Sequence, residues 1–284
     1  GLQRGGRETA RAALREFWQA VSAAGRSSPI QRSPFNVMLG DWSLDNSPTY
    51  LMFDLLSRMA SPYDTNPLNL NPLRGLLEEM IDFDAVCRHC LPHLYISATN
   101  VRSGRIKVFH DKDLSVDVVL ASSCLPNLFQ AVEVEGEAYW DGGFMGNPAL
   151  FPLYLPHLPD DILIVNINPL EREEIPLDGP SIQNRINEIS FNSSLLRELR
   201  AISFVQRLLE RGTLQQSEMK RVLIHMIADD ALMNDLSVAT KLVPTPYVLN
   251  TLKTAGQQAA DGFIATHKAA LNKRSSVDMK EMFG

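Results

Sequence analysis

The sequence predicts an α/β fold followed by a mainly helical C-terminal region. In the middle third of the chain, short β-branched and apolar runs alternate with stretches of helical periodicity, as they do in layered α/β domains. Beyond Pro169, apolar residues recur at spacings of three and four between Ser181 and Arg211, which is typical of a long amphipathic helix. These two patterns divide the chain into a mixed first part and a helical second part.

Composition and charge exclude several classes of protein. The 284 residues are 45% hydrophobic, which is enough for a sizeable core, and 27 Lys and Arg face 33 Asp and Glu for a formal net charge of −6. We find no basic run that could follow a phosphate backbone, so no nucleic acid is expected as a partner. No apolar run approaches the roughly 20 residues of a transmembrane segment. Three cysteines and no apolar leader indicate a cytoplasmic protein.

The first third is expected to be helical. The sequence opens on Gly1 and enters helical periodicity at once, so we expect it to begin inside a folded element of a truncated or processed chain. Pro62, Pro67 and Pro72 are expected to break any regular element between them. The predicted helices are Arg4–Val21, Ser47–Met59, Leu73–Met80 and Phe83–Cys90.

The rest of the chain alternates between strands and helices. The predicted strands are His93–Val101, Ile106–His110, a hairpin over Val132–Trp140 around Gly136, Ile162–Ile167 and Val222–Ile227. Of these, Ile162–Ile167 reads as a central strand that is buried on both faces. The predicted helices are Val116–Leu125, Ser181–Arg211, for which a break near Asn192 is one option, and Tyr247–Leu271.

The most informative segment is Tyr139–Pro148, which reads YWDGGFMGNP. Asp141 ends a strand and is followed by Gly142 and Gly143, so its carboxylate should lie on a tight turn. Glycine is needed there either for a positive φ or for the close approach of another chain segment. An ordinary hairpin turn uses the same residue types for geometric reasons alone, so these three residues leave both interpretations open.

An ordered set of motifs around this segment resembles the patatin-like phospholipase family. It comprises Ser97-Ala98-Thr99-Asn100 at the end of a strand, the Ala121–Pro126 segment ASSCLP, Asp141-Gly142-Gly143 and Asn147-Pro148. The resemblance covers roughly residues 1 to 170. It implies a three-layer α/β/α sandwich, incomplete at its N-terminus, for residues 1–170, with a mainly helical region over residues 171–284.

The resemblance also implies an activity. In this family a serine on a Gly-x-Ser-x-Gly elbow attacks a lipid ester, and the aspartate of the Asp-Gly-Gly turn accepts its proton. Asp141 would therefore be the general base, with Gly142 and Gly143 shaping its turn. The expected substrate is a lipid or lysolipid ester reached by peripheral contact with a membrane, and the dyad needs no metal or organic cofactor.

The sequence departs from the family pattern at the nucleophile. It contains no Gly-x-Ser-x-Gly motif and no glycine-rich loop for an oxyanion. We expect a longer parent protein to supply both from an upstream segment, and we expect these 284 residues alone to be inactive. The alternative is a patatin-like interaction or regulatory module without catalysis.

Other nucleophiles and a metal site are weaker hypotheses. Ser122 and Ser123 are expected to cap or pack against a helix. No histidine has a spacing that nominates it for a Ser-His-Asp triad, so all are expected on the surface or in packing: His89, His93, His110, His157, His225 and His267. The spacing of Cys87 and Cys90 is that of half a zinc site, for which His93 and Cys124 are further candidate ligands, or of a redox pair, although two thiols beside a helix end explain the pattern more simply.

Overall fold

The computed structural model describes residues 2–25, 60–89, 92–214, 219–235 and 244–283. Within these ranges, helices and strands alternate through the middle of the chain, which confirms the predicted α/β fold. The chain divides into two compact units, Gly1–Met145 with Leu236–Thr251 and Gly146–Asp235 with Leu252–Gly284. The domain boundary near residue 170 stays a prediction, and the helix expected over residues 47–59 lies outside the described residues.

The first unit is built on an antiparallel sheet in the order β2-β1-β4-β3. Helix α5 packs on β1, β3 and β4, and α3 packs on α5. Its elements are α1 (Leu2–Gly25), α2 (Pro62–Thr65), α3 (Pro72–Met80), α4 (Phe83–His89), β1 (Tyr95–Asn100), β2 (Ile106–His110), α5 (Val116–Ser122), β3 (Val132–Val134) and β4 (Glu137–Asp141). The buried core between sheet and helix consists of Ala98, Phe109, Leu114, Val118, Ala121 and Tyr139.

Pro62 and Pro72 start helices and Pro67 lies in a turn, which corrects the prediction that the three prolines break any regular element in this stretch. Pro62 and Pro72 are the first residues of α2 and α3. Proline is tolerated at this position because the first amides of a helix have no intrahelical acceptor. Ser61 and Asn71 precede them, and their side chains accept the amide hydrogens of Tyr63 and Leu73.

The second unit contains a parallel pair of strands, β5 and β6, in register from Asp161 opposite Leu223 to Val165 opposite Ile227. The remaining elements of the chain are β5 (Asp161–Val165), α6 (Gly179–Glu210), β6 (Leu223–Ile227), α7 (Asp230–Asp235), α8 (Pro246–His267) and α9 (Met279–Phe283). The core of this unit consists of Leu150, Ile162, Ile164, Leu195, Leu199, Ile202, Val222, Ile224 and Met279.

Strand β5 is buried on one face only, which corrects the prediction of a strand buried on both. Ile162 and Ile164 belong to the core, whereas Leu163 is 48% exposed and Val165 is 67% exposed. Successive side chains of a strand point to opposite faces. A continuous apolar run therefore does not distinguish one covered face from two.

Helix α6 runs without a break, and Asn192 is buried within it rather than at an interruption. The Asn192 side chain donates to the carbonyl oxygen of Pro169 at 2.9 Å, so its polarity serves a tertiary contact. Leu195 and Leu199 lie in the core, while Ile182 and Ile186 near the start of the helix are exposed. In the part of the chain that the structure describes, no helix has the length and apolar character needed to cross a membrane.

Candidate active site

The end of β4 holds Asp141 in a fixed main-chain environment. Asp141 lies opposite Ala98 in the register between β4 and β1. Its backbone amide donates to the carbonyl oxygen of Cys124 at 2.9 Å, just beyond α5. Its own carbonyl oxygen accepts the buried hydroxyl of Thr99 at 2.8 Å. The residue is thus anchored by the neighbouring strand and by the segment that follows α5.

The Asp141 carboxylate is half-buried and has one oxygen engaged. Its Oδ1 accepts the amide hydrogen of Gly143 at 2.7 Å, at the start of a single 3₁₀ turn over Gly142–Phe144. Its Oδ2 makes no hydrogen bond to the described residues. Burial raises the pKa of Asp141 above its ordinary value, and the Gly143 amide opposes that rise. Such a carboxylate is suited to accept a proton.

Gly142 is required by a close approach rather than by a positive φ. A Cβ built on Gly142 would collide with the backbone oxygen of Ser97 and lie 2.7 Å from the Ser97 carbonyl carbon. Gly142 and Gly143 are not among the positive-φ residues, whereas the β3–β4 hairpin turns at Glu135 and Gly136 with φ of 53° and 80°. The Asp-Gly-Gly segment is therefore not the hairpin turn, and the close-approach interpretation holds.

The Ala121–Pro126 segment packs beside Asp141. The Ser123 hydroxyl donates to the Val119 carbonyl oxygen at 3.0 Å, within the last turn of α5. The Cys124 thiol is buried and donates to the Gln130 carbonyl oxygen at 3.2 Å. Burial raises the pKa of this thiol to about 11, and the charge of Asp141 adds to the effect. Cys124 is therefore a packing residue rather than a nucleophile.

The hypothesis of a zinc site at Cys87 and Cys90 stays a prediction, because Cys90 lies outside the described residues. The half-buried Cys87 thiol donates to the Leu114 carbonyl oxygen at 3.4 Å. Across the described ranges, no group of three or more His, Cys, Asp or Glu residues is arranged to hold a metal ion.

Comparison with known proteins identifies the family of the chain. The family model described as patatin-like phospholipase matches residues 10–154, just over half of the chain. The chain belongs to the patatin-like phospholipase family. The matched range contains β1 to β4, the Ala121–Pro126 segment and the Asp141 turn, so the sequence resemblance is confirmed at the level of the family. No curated protein matches the chain.

The second unit brings together three polar residues that sequence analysis did not connect. His225 on β6 is fully buried and lies between Asp161 and Ser276, with contacts of 2.7 Å and 3.1 Å. Ser276 also lines a groove of about 590 Å³ that does not include Asp141. The one sequence signal was a histidine inside the apolar run VLIHMI, because a buried histidine needs polar partners.

Proposed function

We propose that this protein is a lipid acyl hydrolase that cleaves the carboxylic ester of a phospholipid or lysophospholipid, with Asp141 as its general base. The observation that supports the proposal best is the Asp141 carboxylate itself. It is half-buried, has one oxygen bonded to the Gly143 amide, and keeps the other oxygen without a hydrogen bond to the described residues. A serine hydroxyl that reached this second oxygen would find a proton acceptor already oriented.

The proposed chemistry is that of a Ser-Asp dyad. Asp141 accepts the serine proton as the serine oxygen attacks the ester carbonyl carbon, and that proton then passes to the departing alcohol. Water next attacks the acyl-serine, with Asp141 accepting its proton in turn. The nucleophile would come from a segment outside these 284 residues, which contain no Gly-x-Ser-x-Gly motif. This chemistry requires no metal or organic cofactor, and we propose a cytoplasmic protein that contacts the membrane peripherally.

The test is Asp141→Asn in a longer protein that carries the proposed serine elbow, assayed on a lysophospholipid in mixed micelles. Loss of a general base costs about a hundredfold to ten-thousandfold in kcat. Asp113→Asn is the matched control, because it neutralises an exposed carboxylate in the same unit. Circular dichroism checks that both variants fold. An unchanged kcat in a folded Asp141→Asn protein would remove Asp141 from the mechanism.

The pH profile gives a second test. Only the unprotonated carboxylate accepts a proton, so kcat/KM should fall toward acid pH. Because burial raises the pKa of Asp141 above the ordinary value of 3.8, that fall should begin at a higher pH than for an exposed aspartate.

The same shift has a consequence for stability, with the sign fixed by linkage. When the pKa of a carboxyl is higher in the folded than in the unfolded state, the free energy of unfolding of the protein falls as pH rises through the window between the two pKa values. Asp141→Asn removes this cost. The melting temperature of the Asp141→Asn variant should therefore rise relative to that of the wild type as pH increases through that window. A difference between the two melting temperatures that did not depend on pH would contradict the raised pKa of Asp141.

The absence of the elbow motif favours one competing function, a patatin-like interaction or regulatory module without catalysis. A fluorophosphonate probe separates the two, since it reacts covalently with an activated serine. Labelling of an elbow serine in the longer protein supports the hydrolase. A folded longer protein that carries no such label supports the module.

A further inference from the structure

We propose that Ser276, His225 and Asp161 form a second ester-cleaving site, separate from Asp141. Ser276 would be the nucleophile, His225 its general base, and Asp161 the residue that orients the imidazole. All three residues belong to the second unit. The proposal stands on their geometry and does not depend on the Ser-Asp dyad.

The hydrogen bonds of His225 set the direction of proton transfer. Its Nε2 lies 2.7 Å from Asp161 Oδ1, and an ionised carboxylate can only accept. The ring proton is therefore assigned to Nε2, which leaves a lone pair on Nδ1. The Ser276 hydroxyl oxygen lies 3.1 Å from Nδ1 and donates to that lone pair. This is the relay of carboxylate, imidazole and hydroxyl that activates a serine, with the two ring nitrogens exchanged relative to the usual triad.

The orienting carboxylate is itself held in place. Asp161 is the first residue of β5, and the backbone amide of Asn272 donates to both of its oxygens, at 2.9 Å and 3.0 Å. Asn272 has a φ of 59°, a left-handed conformation that asparagine tolerates better than most residues. Phe263 packs edge-on against the His225 ring, with centroids 6.0 Å apart. The imidazole is thus fixed by a carboxylate, a hydroxyl and an aromatic ring.

Ser276 is accessible to a ligand, because its half-buried side chain lines the groove of about 590 Å³. Ser275 lines the same groove, but its hydroxyl oxygen accepts the Ile224 amide at 3.0 Å. Only Ser276 of this pair contacts a base. The two neighbouring serines therefore differ in activation and not in access.

The charges of the groove indicate the class of ester. The cationic side chains in its lining are Arg221, Arg274 and Lys280, and the anionic ones are Glu210 and Asp278. Lys280 pairs with Glu210 at 3.5 Å, and the Asp278 carboxylate accepts backbone amides of α9. The two arginines make no ion pair with described residues. A small ester that carries a negative charge would be attracted to them, and a guanidinium would also stabilise the developing oxyanion.

The proposed reaction balances without a further reactant. The Ser276 oxygen bonds to the ester carbonyl carbon while its proton moves to His225 Nδ1. The carbon–oxygen bond to the alcohol then breaks, and the alcohol leaves with that proton. Water attacks the acyl-serine, gives one proton to Nδ1, and releases the acid as the proton returns to the Ser276 oxygen.

The experiment locates a fluorophosphonate adduct by peptide mass spectrometry, with Asp141→Asn as background so that the proposed dyad is disabled. Trypsin cleavage after Arg274 and Lys280 releases Ser275–Lys280 (SSVDMK), and fragment ions distinguish its two serines. The adduct is expected on Ser276. It should disappear in Ser276→Ala and persist in Ser275→Ala, the matched control. His225→Gln should slow labelling about a hundredfold.

Turnover gives a second readout in the same background. The anionic p-nitrophenyl hemisuccinate should be cleaved faster than the neutral p-nitrophenyl butyrate, and Ser276→Ala should abolish both reactions. An adduct on Ser275, or no adduct on protein that circular dichroism shows to be folded, would overturn the proposal. If His225→Gln does not fold, the decision rests on the two alanine variants, which each remove a single hydroxyl. Neither outcome bears on Asp141, whose own test is loss of lysophospholipid turnover.

Discussion

The Asp141 turn and the cluster of His225, Asp161 and Ser276 hold their functional groups in different ways. Asp141 is held mainly through its main chain, whose amide donates to Cys124 and whose carbonyl oxygen accepts from Thr99. The close approach of Gly142 to Ser97 adds to these contacts. The His225 cluster is held by side chains that come from distant parts of the sequence. The Asp141 turn leaves a local sequence motif, whereas the cluster leaves only a single histidine in an apolar run.

A buried ion-pair network extends the contrast within the second unit. Glu188 on α6 is only 4% exposed and accepts from Arg172 at 2.9 Å and 2.6 Å and from Arg185 at 3.3 Å. Arg185 also donates to the Leu170 carbonyl oxygen at 3.2 Å. Charged side chains therefore join the segment after β5 to helix α6, whereas the Asp141 turn of the first unit is held mainly by main-chain contacts.

The largest predicted effect breaks this network. Glu188→Ala leaves two partly buried guanidinium groups without their carboxylate, and we expect a loss of about 3–5 kcal/mol in the free energy of unfolding, measured by urea denaturation. The control is Glu78→Ala, which removes an exposed partner of Arg74 at 3.5 Å and should cost at most about 0.5 kcal/mol. Equal losses in the two variants would show that side-chain charge does not hold the second unit.

The next largest effect tests whether the close main-chain approach of Gly142 to Ser97 holds the Asp141 turn. Gly142→Ala places a methyl group against the Ser97 carbonyl, and overpacking of this kind costs about 1–3 kcal/mol. Because relief requires the Asp141 turn to move, kcat of the proposed longer protein should fall as well. Gly75→Ala is the control, since its Cβ in α3 meets nothing within 4 Å and should stabilise the helix by about 0.5–1 kcal/mol. A Gly142→Ala protein with unchanged stability would contradict the close approach.

The same contrast explains how much of the molecule could be predicted. Strands β1 to β4, helix α5 and the Asp141 turn follow from local patterns, because β-branched runs, turn glycines and the Asp-Gly-Gly motif act over a few residues. The one-sided burial of β5 did not follow, because it depends on which distant segments cover each face. The His225 contacts were missed for the same reason, since Asp161 and Ser276 lie 64 and 51 positions away in sequence.

The smallest predicted effect concerns Thr99, which among the described residues is the one whose side chain donates to the Asp141 main chain. Thr99 is buried and its hydroxyl donates to the Asp141 carbonyl oxygen at 2.8 Å, so Thr99→Val keeps the shape of the side chain and removes the donor. We expect a loss of about 1 kcal/mol in the free energy of unfolding. Thr99→Ser retains the hydroxyl, so in the proposed longer protein it should have a higher kcat than Thr99→Val, even where it loses some packing. If valine and serine variants had equal kcat, the hydrogen bond would contribute nothing to the position of Asp141, and the turn would be held by Cys124 and Ser97 alone.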